Sequence, residues 1–206
     1  MTSSDQLSAK SFTEEESLWA IYKKARRIPS SRFNVITTLG VLFFSSFSYF
    51  FSEIDAEATV KSAREMAAFG FNSTLTLLGF LVAGFTIFAT ITNPNMLIAM
   101  GLIKNPKSDL SWMKHQFFVL IRTFIYFISY SVVCFFVIYF GSQGGLFSLV
   151  MKFSPHPYEY ILCSGKLACI ALTTGQYFVI MQLKSFIYNM YHGVVANLRW
   201  RAEGNE

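Results

Sequence analysis

Apolar and polar positions alternate along this chain on the scale of whole segments. Four apolar runs, Phe33–Ser52, Phe69–Thr92, Phe117–Phe140 and Gly165–Leu183, are separated by polar stretches. Each run is long enough to cross a hydrocarbon core of roughly 30 Å at about 1.5 Å per helical residue. The pattern predicts an all-α polytopic membrane protein, a four-transmembrane-helix bundle. Residues 1–32 form a cytoplasmic N-terminal segment with an amphipathic helix, 33–191 the membrane domain, and 192–206 a cytoplasmic tail.

Finer periodicities fill in the elements. Thr13 with Glu16 three residues later has the spacing of a capping box, and Glu14–Glu16 suit a helix N-terminus. Leu18, Trp19, Ile21, Tyr22, Ala25 and Ile28 make one broad apolar face, and Pro29 ends the helix. Its basic end, Lys23, Lys24, Arg26 and Arg27, with Trp19 at the interface, is expected either to lie on anionic headgroups of the inner leaflet or to dock a protein partner. One long helix is expected from Asp55 to Thr92, its first part outside the bilayer, stopped by Asn93-Pro94-Asn95. Residues 96–103 and 146–151 are apolar but too short to span.

Composition sharpens the class. Hydrophobic residues make up 53% of 206 residues and charged ones 14%, yet the four runs hold only two charges, Arg122 and Lys166. Around them, the segments on the side of the termini (1–32, 93–116, 184–206) carry twelve Lys and Arg against three in 53–68 and 141–164. The excess of positive charge belongs in the cytoplasm, so both termini are expected there. The net charge of +5 is then a topology signal, and direct nucleic-acid binding is not expected.

Polar groups at membrane depth are where function is sought first. In the second run Asn72, Thr76, Gly79, Ala83, Thr86 and Thr90 recur at spacings of four and three, a seam of small or hydrogen-bonding residues on one helix face. Such a seam permits close helix packing within or between subunits, and it also suits a hydrated path through a homo-oligomer. Arg122 shares a face with Tyr126, Ser129 and Tyr130; so near the inner boundary it is expected to snorkel to the headgroups or stack on Tyr126. Lys166 and Lys184 bracket the fourth run for snorkelling at both faces. Thr173, Thr174 and Gln176 fall near its midplane, where Gln176 needs a partner on another helix.

Catalytic chemistry has no foothold. The three histidines fall on different sides of the membrane, there is no phosphate-cradling glycine loop or nucleophile motif, and no metal site or cofactor is expected. Cys134, Cys163 and Cys169 form no CxxC pair and read as small packing residues.

The run Gly79-Phe80-Leu81-Val82-Ala83-Gly84-Phe85-Thr86-Ile87-Phe88-Ala89-Thr90, closing with Thr92-Asn93-Pro94, together with a four-span layout from Phe33 to Tyr191, resembles the membrane subunits of the bacterial Kiwa anti-phage defence system. The resemblance implies a homo-oligomeric inner-membrane sensor working with a cytosolic DNA-binding subunit, and it assigns no residue a role. Two functions stand after this reading. One is a non-enzymatic, homo-oligomeric sensor or scaffold in a bacterial inner membrane, coupling an envelope event to a cytosolic partner. The other is a homo-oligomeric ion channel or membrane-depolarising effector.

Overall fold

A computed structural model describes residues 9–106, 108–142 and 144–204. After a 3-10 turn at Ala9–Thr13, seven helices follow: α1 (Leu18–Ala25), α2 (Arg32–Phe50), α3 (Ala56–Ile91), α4 (Pro94–Leu102), α5 (Trp112–Phe140), α6 (Leu146–Met151) and α7 (Pro157–Ala202). Among the described residues no strand forms beyond an isolated bridge between Lys104 and Ser111.

Three of these helices, α2, α3 and α5, are long and apolar enough to cross a membrane. The fourth run lies within α7, a helix of 46 residues that is not among those three. Its stretch 165–183 is diluted by Lys166, Thr173, Thr174, Gln176 and Gln182. The strongest sign of a lipid environment is the inside-out character of α2. Its buried residues are Asn34 and Ser45, while Phe43, Phe44 and Phe50 are 66%, 71% and 68% exposed. In water such a face would be an aggregation liability; in hydrocarbon it is the solvated side.

Local signals explain the boundaries. Helix α3 covers what its uninterrupted pattern predicts and stops at Asn93-Pro94, where Asn93 caps α4 by accepting from the Asn95 N–H at 2.8 Å. Helix α1 is shorter than predicted. Its N-cap is Ser17, whose hydroxyl accepts from the Ala20 N–H at 3.2 Å, so the Thr13–Glu16 pattern does not open it. Glu14 and Glu15 lie before the helix and are engaged elsewhere, as described below.

The chain divides into two compact units. The first contains the residues up to Ser30, Phe80–Ile125 and Leu183 onward. In it Ala25, Ile28 and Phe118 form a buried cluster with Ile21, Leu110 and Val119 packed against it. Asn197 clamps the α3–α4 corner: its Oδ1 accepts from the Asn93 N–H and its Nδ2 donates to the Ile91 carbonyl, both at 3.0 Å.

The second unit contains Ser31–Gly79 and Tyr126–Gln182. Its centre holds Ala63, Ala67, Thr74, Phe127, Cys134, Cys169, Leu172 and Val179. Here Gly70 and Gly175 permit close approach. A Cβ on Gly70 would lie 2.7 Å from the Tyr130 hydroxyl, and one on Gly175 would lie 2.6 Å from the Tyr130 ring. The Tyr130 hydroxyl donates to the Leu172 carbonyl at 3.0 Å. The Lys166 Nζ donates to the Ser52 carbonyl at 2.8 Å, just past the end of α2.

Candidate functional site

The densest concentration of buried charge lies in the first unit, beneath α1. Arg122, in α5, is 5% exposed and donates from one terminal nitrogen to the carbonyls of Ala25 (3.0 Å) and Ile28 (2.7 Å). These carbonyls end α1 and the turn after it; the Ala25 carbonyl also accepts from the Ile28 N–H at 3.1 Å, whereas at the Ile28 carbonyl helical partners run out. A guanidinium supplies the donors that the C-terminus lacks, and its charge suits the negative end of the helix. The expected snorkelling of Arg122 therefore gives way to a buried clamp, because fixed carbonyls replace its hydration.

Lys114, in the first turn of α5, is the second buried cation. It forms an ion pair with Glu15, with side-chain exposures of 7% and 5%. Lys24 of α1 bridges the acidic pair, 2.7 Å from both Glu14 and Glu15. Burial pushes the Glu15 carboxyl up, yet hydrogen bonds from Lys114 and Lys24, aided by their charge, outweigh it and hold the group below its usual 4.5. The hydrogen bonds that Lys24 donates to Glu14 and Glu15 raise it above its usual 10.5 against an opposing burial effect. These contacts close one side of a polar cavity of 520 Å³ whose wall includes Arg27, Ser108 and Asp109. Lys104 pairs with Asp109 at 3.1 Å on the outside.

The predicted basic face of α1 is thus split. Lys24 is consumed by the ion-pair network, whereas Lys23, Arg26 and Arg27 are exposed. Trp19 is 61% exposed, stacks on Tyr22 at 5.4 Å between centroids and has the Lys23 ammonium 5.8 Å from its ring. This surface is aromatic and cationic, the chemistry that suits anionic headgroups or an acidic protein face.

The seam of α3 is not used inside the protomer. Asn72, Thr76, Gly79, Ala83, Thr86 and Thr90 are all exposed. Nothing lies within 4 Å of where a Gly79 Cβ would stand. The Thr76 and Thr86 hydroxyls donate to the carbonyls four residues back, both at 2.9 Å, and Thr90 does likewise to Thr86 at 3.1 Å. Intrachain packing uses another line of α3 residues: Thr59, Ala63, Ala67, Gly70 and Thr74 in the second unit, Leu81 and Phe88 in the first.

In the second unit Gln176 finds the interhelical partner it needs: its Nε2 donates to Ser73 Oγ at 3.3 Å, while its Oε1 has no hydrogen-bond partner. Thr173 is half-buried beside it in sequence, and Tyr126 packs edge-on against Phe178 at 5.1 Å. The three cysteines are free; Cys134 and Cys169 are buried and Cys163 is exposed. Among the described residues no three His, Cys, Asp or Glu side chains converge as metal ligands would. The arrangement holds elements together and leaves specific faces open; Ser108 Oγ lies 3.0 Å from His115 Nδ1, a hydroxyl–imidazole contact at the wall of the first-unit cavity.

No known protein family model, curated protein or solved structure matches the chain. Functional inference therefore rests on the geometry.

Sequence reasoning missed the two most consequential partnerships, Arg122 with the end of α1 and Lys114 with Glu15. Their members stand 94 to 99 residues apart. No local spacing encodes such pairs. The one usable signal was a cation, Arg122, inside an apolar run that offers no acid to meet it.

Proposed function

We propose that the chain is a non-enzymatic sensor or scaffold subunit of a bacterial inner membrane, with four spans and both termini in the cytoplasm. In this reading the fourth crossing is the 165–183 segment of α7. Protomers associate through the α3 seam, and α1 offers Trp19, Lys23, Arg26 and Arg27 to a cytosolic partner. The observation that carries the proposal is the clamping of α1. Two buried cations of α5, a helix apolar enough to span, hold α1 by its end and by its preceding acidic turn. A displacement of α5 would then be passed to α1 through fixed bonds, and the exposed face of α1 would report it. A place in anti-phage defence beside a DNA-binding subunit rests on the Kiwa resemblance alone; the neighbouring genes test that part.

Reversing the exposed charges tests the docking role. A chain carrying Lys23→Glu, Arg26→Glu and Arg27→Glu should still enter the membrane. After in-cell cross-linking it should retain at least about tenfold less of a stoichiometric cytosolic protein than the wild type, since several charge-complementary contacts are removed at once. Equal retention by both chains would remove α1 as the docking surface.

The exposed hydroxyls of the seam favour one second reading, a homo-oligomeric channel lined by Thr86 and Thr90. That reading requires conductance in planar bilayers that changes with Thr86→Leu; a purified oligomer silent across voltages and ions would exclude it.

A further inference from the structure

The second unit contains a groove with a single isolated cation in it. One cavity, of 280 Å³, is walled by Val60, Ala63, Phe136, Phe140, Phe147 and Ala168, with the Arg64 side chain alongside. A second, of 420 Å³, shares Val60, Arg64, Phe140 and Phe147 and continues toward Glu57 and Tyr158. The two are contiguous and fall in the size range of small-molecule sites, roughly 300–1,000 Å³. Their lining is apolar and aromatic apart from the Arg64 guanidinium, the Glu57 carboxylate at one end and a few hydroxyls.

Arg64 is half-buried, and among the described residues it makes no hydrogen bond or ion pair. Glu57, the one acid lining the groove, is exposed and lies two helical turns away, about 10 Å along α3. The position of Arg64 along α3 decides what would neutralise it. The apolar run begins at Phe69, five residues on, so Arg64 stands about 7–8 Å outside the hydrocarbon boundary. That is the headgroup layer, since the polar zones add roughly 5–8 Å to each side of a 30 Å core.

An isolated guanidinium at headgroup height above an apolar groove has the order of chemistries found in a phospholipid. We infer that this groove is a binding site for one glycerophospholipid molecule, with the phosphodiester on Arg64 and part of an acyl chain against Phe136, Phe140 and Phe147. A planar guanidinium pairs with phosphate in bidentate fashion, and the phenyl walls accept the chain without desolvating any polar group. The inference rests on the membrane-spanning reading above, and it adds a specific lipid site to a generally lipid-solvated surface.

The test uses the full chain purified in detergent, stripped of lipid and titrated with palmitoyl-oleoyl-phosphatidylethanolamine while native mass spectrometry counts bound lipid. Wild-type protein should retain one lipid per chain. Arg64→Gln should weaken binding about tenfold, the loss of one charge-assisted contact. Ala168→Phe, which fills the apolar cavity and leaves Arg64 in place, should weaken it at least as much. Diacylglycerol, which lacks the phosphate, should bind the wild type no better than the phospholipid binds Arg64→Gln. Inorganic phosphate alone should give no detectable binding, and if it matched the lipid, a phosphate site would replace the lipid site. Equal retention of phospholipid by wild type and both variants would overturn the inference. Alkaline carbonate extraction of the same chains reports membrane integration separately, so a failure of the spanning reading would be seen as release from the membrane.

Discussion

Replacing Arg122 by Leu should release α1. The substitution leaves the Ile28 carbonyl without a donor, at a cost of about 1–3 kcal/mol, while the Ala25 carbonyl keeps the Ile28 N–H alone. A helix of eight residues has little stability of its own, so nothing local offsets that cost. Local stability of residues 18–28 should fall by about 1–3 kcal/mol. In nanodiscs this appears as amide exchange over that stretch accelerated roughly five- to 150-fold, with α2 and α7 little changed. Arg122→Lys should give an intermediate result, since a lysine keeps the charge and loses the planar donor geometry. Unaltered exchange in Arg122→Leu would show that the Arg122 clamp does not hold α1.

The second large effect concerns Lys114. Lys114→Met strands the buried Glu15 carboxylate with Lys24 as its remaining cation. Breaking a buried pair from one side costs about 3–5 kcal/mol, and the Lys24 contact reduces this to about 2–3 kcal/mol. The double variant Glu15→Leu with Lys114→Met should recover most of that loss, because an apolar pair of similar volume needs no compensation for desolvation.

The wild-type network also sets a pH profile. Glu15 titrates below 4.5 in the folded chain, so its contribution is complete above 4.5 and is lost as pH falls through the folded value. Lys24 titrates above 10.5, so its contribution is complete below 10.5 and is lost as pH rises through the folded value. Protection of α1, corrected for intrinsic exchange, should therefore be flat between these limits and drop on the acid side. The acid step should shrink in the double variant, where only the exposed Glu14–Lys24 pair remains. A drop centred near neutral pH in the wild type would contradict the network as described.

What was legible in the sequence was whatever repeats locally. The extent of α3 follows from a run free of proline until Pro94, and the need of Gln176 for an interhelical partner follows from its depth. The start of α1 misled because Thr13-x-x-Glu16 satisfies the spacing of a capping box. The neighbouring acids instead serve Lys24 and Lys114, and Ser17 does the capping. Arg122 was legible as an anomaly but not as a clamp, since its acceptors are backbone atoms of α1, which carry no sequence signature. The seam of α3 was legible as a periodicity, yet α3 carries small residues on two lines. Periodicity cannot tell which line packs within the chain: Ala63, Ala67 and Gly70 do, and Thr76, Gly79 and Ala83 do not. The Arg64 groove had no signal either, because its walls come from α3, α5, α6 and α7.

The central claim is that the exposed α3 seam joins one protomer to another. Disulfide cross-linking in native membranes tests it directly, in a chain whose exposed Cys163 is replaced by Ser. Thr76→Cys, Ala83→Cys and Thr90→Cys should each give covalent dimers on mild oxidation. Val82→Cys and Ala89→Cys, on exposed positions about 80° or more around α3 from those three, should stay monomeric. Dimers forming equally at all five positions, or at none of the three on the seam, would contradict it.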